Sequence, residues 1–105
     1  MSREEKIREI QILDQNLQNI LMQKQSFEME LSETKSAAEQ MEKSGDEVLK
    51  IIGNLMIKTE KSRVKEELSS KEKLLEIRIN ALDKQEGSLT EKLEKIRDEI
   101  IKTQK

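Results

Sequence analysis

The side chains of this 105-residue chain that could do chemistry are almost all carboxylates and amines, 22 Asp and Glu against 20 Lys and Arg, for a net charge of −2. His, Cys and Tyr are absent. A zinc, haem or iron–sulfur centre therefore lacks its usual ligands, and the two side chains best suited to neutral-pH nucleophilic and general-base work are missing. Paired carboxylates such as Glu66-Glu67 could in principle form an acid/base couple, but two acidic residues early in a helix are also what a helix dipole favours. They read here as helix-start residues. No G-x-x-x-x-G-K-[ST] loop is present to cradle a nucleotide phosphate. Acidic and basic residues are interspersed, so no basic stripe offers itself to nucleic acid. The expectation is a protein that is no enzyme, with no catalytic residue, no metal and no cofactor.

What remains is apolar surface and its placement. Only 33% of residues are hydrophobic, 40% are charged, Phe27 is the single aromatic and Pro is absent. A compact core wants roughly 45–50% apolar residues. A Pro-free chain rich in Ala, Glu, Lys, Leu and Arg makes long helices that bury a seam. No apolar run approaches the ~18–20 residues of a membrane span, and Met1-Ser2-Arg3-Glu4-Glu5 lacks the apolar core of a signal peptide. Together with the absence of Cys, this sets the expected location as cytoplasmic, with no membrane partner.

The seam is written in heptads. Residues 2–43 form the first expected helix. Ser2-Arg3-Glu4-Glu5 fits a capping box, with Ser2 accepting from the Glu5 N–H. One seam position holds Ile10, Leu17, Lys24, Leu31 and Ala38, the other Leu13, Ile20, Phe27, Thr34 and Met41, and eight of the ten are apolar. In the second expected helix, 62–104, Leu68, Leu75, Leu82, Leu89 and Ile96 alternate with Glu72, Ile79, Glu86, Leu93 and Ile100, again eight of ten apolar. Spacing that averages 3.5 keeps a stripe on a partner helix. The even leucines have no basic region before them, so a DNA-binding zipper is set aside. Lys24 and Glu72 interrupt the seam and can set register. Glu67–Lys71 and Glu91–Lys95 have the i, i+4 order that supports an exposed helix face. Gly87 costs about 1 kcal/mol relative to Ala inside a helix and predicts a locally loose coil.

Between the helices the period changes from 3.5 to 2. Ser44-Gly45-Asp46 is a break, with Gly45 suited to a helix C-cap. Val48-Leu49-Lys50-Ile51-Ile52 and Leu55-Met56-Ile57-Lys58-Thr59 flank Gly53-Asn54, which predicts a β-hairpin over 47–60 with a type II′ turn, Ile52 opposite Leu55 and Lys50 opposite Ile57. Ser62 is placed to cap the second helix. Two helices of matched length, each about 60 Å long at 1.5 Å per residue, fold back as an antiparallel coil with the hairpin at its closed end. Val48, Ile52, Leu55 and Ile57 lie on one hairpin face and Leu49, Ile51 and Met56 on the other. A lone hairpin with two apolar faces is marginal in water, so these seven residues are the expected subunit interface; the alternative is a monomer with the hairpin folded down on the coil end, which a narrow coil disfavours because it cannot cover both faces.

Helix, hairpin and helix with these residues resemble the beta class of prefoldin as found in archaea. The most specific stretch is Ile52-Gly53-Asn54-Leu55-Met56-Ile57-Lys58-Thr59 with Lys50 before it. Glu67-Leu68, Arg78 to Glu86, Met22-Gln23-Lys24-Gln25 and Glu30-Leu31-Ser32-Glu33-Thr34 are similar to beta-class sequences as well. A single hairpin separates it from the alpha class, which carries two. Leu49 stands where the family often has an aromatic, and Gly87 in a helix usually free of such a break. The resemblance implies a mainly α fold, a long antiparallel two-helix coiled coil with one β-hairpin, whose hairpins assemble into a shared β-barrel platform. It also implies a hetero-hexamer of two alpha and four beta subunits that captures unfolded polypeptides without ATP and delivers them to a group II chaperonin.

Client contact is expected at the open end of the coil, at Ile7, Ile10, Leu13 and Leu17 of the first helix and Leu93, Ile96, Ile100 and Ile101 of the second. Ile7 and Ile101 fall outside the seam. A structural coiled-coil scaffold without chaperone activity is the competing reading. It accounts for the heptads and leaves the doubly apolar hairpin unexplained.

Overall fold

The computed structural model describes residues 2–103. Its elements follow in the order α1 (Arg3–Glu42), β1 (Glu47–Ile52), β2 (Leu55–Glu60) and α2 (Lys61–Thr103). The expected helix, hairpin and helix are present in that order, and position 104 of the second expected helix lies outside the described residues. α1 opens as the capping box requires. The Glu5 N–H donates to Ser2 Oγ at 3.2 Å, and Glu4 and Glu5 lie in the first turn, where the dipole favours acidic groups.

The end of α1 differs from expectation. Gly53, at φ +59, is the only described residue with positive φ, so Gly45 does not provide a left-handed cap. The helix tightens instead. Lys43 N–H donates to Gln40 O at 3.1 Å and Ser44 N–H to Met41 O at 3.2 Å, both spanning three residues as in a 3₁₀ turn. Ser44 Oγ also donates to Met41 O, at 2.9 Å. A side-chain hydroxyl and a tightened turn satisfy carbonyls that a glycine would otherwise have served. α2 begins at Lys61, so Ser62 sits in its first turn rather than at the cap. The Lys61 N–H, one of the orphan donors, is taken by Asp46 O at 2.9 Å.

β1 and β2 pair antiparallel with Ile52 opposite Leu55 and Lys50 opposite Ile57. Positive φ at Gly53 with none at Asn54 is the type II′ pattern.

The chain divides into two compact units, one built from the residues up to Ser26 with those from Ile79 onward, the other from Phe27–Arg78. In the first, Lys6 meets Glu99 at 3.7 Å, Asp14 meets Arg97 at 3.7 Å, and Lys24 meets Asp83. Partner numbers fall along α2 as they rise along α1, which is antiparallel pairing. In the second, Glu30–Lys71 at 3.3 Å and Glu42–Lys65 run the same way, and Arg78 lies over the Phe27 ring with its guanidinium 5.6 Å from the centroid, within cation–π range. All twenty heptad positions are buried or half-buried. Thr34, a polar member of the seam, is buried and donates its hydroxyl to Glu30 O at 2.7 Å. α2 passes through Gly87 without a break.

Candidate functional site

Two apolar surfaces are the candidates. The first is the hairpin. Strand alternation sends Val48, Lys50 and Ile52 of β1 and Leu55, Ile57 and Thr59 of β2 to one face. Near its base this face is partly covered, with Val48, Lys50 and Thr59 half-buried. Lys50 Nζ donates to Glu67 Oε2 of α2 at 2.6 Å. The other face, with Leu49, Ile51 and Met56, is bare, at 59%, 68% and 66% exposure. Ile52, Leu55 and Ile57 are exposed too. Fully burying an aliphatic side chain gives about 1.5–3 kcal/mol, so these six residues leave on the order of 5–10 kcal/mol per hairpin unrealised. Two strands alone are marginally stable. Such a surface is built to be covered.

The second surface lies where α1 begins and α2 ends. Leu13, Leu93 and Ile96 form a buried cluster, against which Ile10, Leu17, Leu89 and Ile100 pack partly buried. Six of the eight residues expected to meet a client are therefore seam residues. Ile7 and Ile101, at 41% and 58% exposure, stand outside it, as their heptad positions require. In the same unit Lys24 Nζ lies 2.5 Å from Asp83 Oδ1 and 3.1 Å from Glu86 Oε2. Hydrogen bonds from Asp83 first, then Glu86, hold its ammonium well above the ordinary lysine range. A cation at one seam position, Lys24, and a carboxylate at another, Glu86, thus answer each other across the coil.

Sequence reasoning missed where the hairpin's charges go. Glu67 carries no helix-start role, because the first turn of α2 holds no acidic residue, and its carboxylate turns to Lys50 rather than Lys71. Lys71 pairs with Glu30 instead. Lys61 Nζ donates to Ser44 O at 3.0 Å. These partners are 17 or more residues apart, and no local spacing announces them. Met22 and Met29 are exposed on α1, each two residues away from the nearest seam positions on either side.

Two helices that share a sparse seam, joined by a hairpin with uncovered apolar faces, define a class: an assembling helix–hairpin–helix subunit. The comparisons are specific. Residues 4–105 match the prefoldin subunit family. The chain is 43% identical over 88 residues to the prefoldin subunit beta of Thermococcus onnurineus, covering 82% of this chain and 76% of that one. It is 36% identical over 94 residues to the prefoldin subunit beta of Pyrococcus furiosus, covering 88% and 80%. The crystal structure of the prefoldin beta subunit from Thermococcus strain KS-1 matches with a TM-score of 0.90 at 35% identity, over 96% of this chain and 90% of that one. The chain belongs to the prefoldin subunit family, and its single hairpin and its relatives are those of the beta class. No helix among the described residues is long and apolar enough to cross a membrane.

Proposed function

We propose that the chain is one of four beta-class subunits that join two alpha-class subunits in a cytoplasmic hexamer, which holds unfolded polypeptides without ATP and passes them to a group II chaperonin. Membership of a chaperone family supports the function. The observation that carries the assembly is the hairpin, on which Leu49, Ile51, Ile52, Leu55, Met56 and Ile57 are left exposed by their own chain. Val48, Leu49, Ile51, Ile52, Leu55, Met56 and Ile57 meet hairpins of neighbouring subunits in a shared barrel, and the helices of each subunit project from it.

Client contact follows from the other surface. Ile7 and Ile101 offer apolar area without any rearrangement. Ile10, Leu13, Leu17, Leu93, Ile96 and Ile100 join them when the helix ends fray. Each contact is weak, at about 25 cal/mol per Å² buried. Several subunits engaging one chain convert weak contacts into useful avidity, provided they reach it together. Weak single sites also permit release.

The test is an aggregation assay on a chemically denatured client without nucleotide. The chain assembled with an alpha-class subunit should slow aggregation, and Ile7→Ser with Ile101→Ser should weaken that protection while leaving the assembly intact. An assembled complex that leaves aggregation unchanged refutes the chaperone reading and favours the scaffold.

A further inference from the structure

The hairpin touches the rest of its unit at very few polar points. Two lie at its base, where Asp46 O accepts from the Lys61 N–H and Lys61 Nζ reaches Ser44 O. Neither controls how the strands beyond them lean, because both act on the segment before β1. The third is Lys50–Glu67. Lys50 is the fourth residue of β1, opposite Ile57, and Glu67 is the seventh residue of α2. Their 2.6 Å contact ties the middle of the hairpin to the second turn of the helix. The consequence shows in the exposures. On the face that Lys50 occupies, Val48 and Thr59 are half-buried and Ile57, opposite Lys50, is 44% exposed, the cover fading toward the turn where Ile52 is at 53% and Leu55 at 66%; on the opposite face Leu49, Ile51 and Met56 are at 59%, 68% and 66% along its whole length.

We propose that Lys50 and Glu67 are a positioning pair for assembly: they hold one hairpin face against α2, so that Leu49, Ile51 and Met56 are presented outward, at a fixed angle to the helix, to the hairpin of a neighbouring subunit. The inference rests on the assembly reading above. An ammonium held by a single carboxylate, both partly solvated, is a weak bond by itself. Its leverage comes from position, since a hinge with two contacts at its base needs only one beyond them to fix its direction. Repetition in every beta subunit multiplies the effect on an assembled ring.

The chain has no Cys, so spin labels can be placed cleanly at Asn54→Cys, in the hairpin turn, and Ser70→Cys on α2, both exposed. The label-to-label distance is measured by pulsed electron resonance in the full chain, spin-diluted with unlabelled chain. The concentration for half-assembly with an alpha-class subunit is measured on the unlabelled proteins. Lys50→Glu and Glu67→Lys should each broaden the distance distribution and raise that concentration by at least about twofold. The two together should restore both, and Lys50→Arg should leave both unchanged. A distribution equally narrow in the single reversals, a double variant no better than the singles, or broadened distances with unaltered assembly overturns the positioning role. A parent chain that does not assemble at all overturns the subunit reading instead. The distance arm, which needs no partner, still decides whether the pair holds the hairpin.

Discussion

Gly87 shows what a single residue contributes when nothing else depends on it. Its neighbourhood holds no atom within 4 Å of an added Cβ, and its φ is not left-handed. Replacement by alanine therefore meets no steric obstacle and recovers the helix propensity that glycine forfeits. Gly87→Ala should raise stability by about 1 kcal/mol, read as a higher urea midpoint by circular dichroism. An unchanged or lower midpoint would mean that the glycine serves something the surrounding space does not reveal.

The charge pairs make a second residue-scale statement, and its sign is fixed. Lys65 lies beside Glu42 and, by hydrogen bond first and charge second, holds its carboxyl below the ordinary value of 4.5. A depressed carboxyl contributes stability that is present above the unfolded value and lost as pH falls through the folded one. Lys24, raised by Asp83 and Glu86, contributes in the opposite sense: its part is complete below 10.5 and is lost as pH climbs beyond. Urea midpoints followed downward from pH 5 should fall less steeply in Lys65→Met than in the parent chain. Parallel curves would show that the pair is not felt. Both groups are solvent-accessible, so salt should flatten the differences.

At the scale of elements, the seam divides the expected client residues into those that hold the coil and those that do not. Leu93 is buried to 3% exposure among Leu13 and Ile96, while Ile101 stands at 58%. Leu93→Ala should cost about 2–5 kcal/mol, whereas Ile101→Ser should stay within about 0.5 kcal/mol of the parent, both from urea unfolding. Equal losses would mean that the helices do not pair in this register. Legibility in the sequence follows the same division. A repeat of seven is a property of one segment, so both helices and all twenty seam positions could be read from it. Gly53-Asn54 fixed the hairpin register because a two-residue turn leaves the strands no alternative. The ends of the elements were less legible. Ser44 closes α1 through local contacts to Met41 O, Asp46 O meets the Lys61 N–H only once the hairpin has brought the two together, and Gly45, the obvious cap by residue type, is not used. Charge partners were the least legible, since Lys50–Glu67 and Lys24–Asp83 exist only after folding. The client surface was legible as a set of apolar residues, but heptad position alone set Ile7 and Ile101 apart from the six that pack.

At the scale of the whole molecule, helices and hairpin differ in how much of their apolar surface one chain covers. The helices contain a seam that satisfies itself; the hairpin leaves six large apolar residues exposed, and the proposed function assigns them to neighbouring subunits. Disabling the hairpin should therefore separate folding from assembly. Ile52→Asp with Ile57→Asp should leave the helical signal of the chain essentially intact while abolishing higher assembly. Retained oligomers would place the interface elsewhere.

The most direct measurement is native mass spectrometry of the chain mixed with an alpha-class prefoldin subunit. The account predicts a single dominant species with the mass of two alpha and four of these chains, absent when the Ile52→Asp, Ile57→Asp variant replaces the parent. A folded chain that stays alone in the presence of that subunit would contradict it.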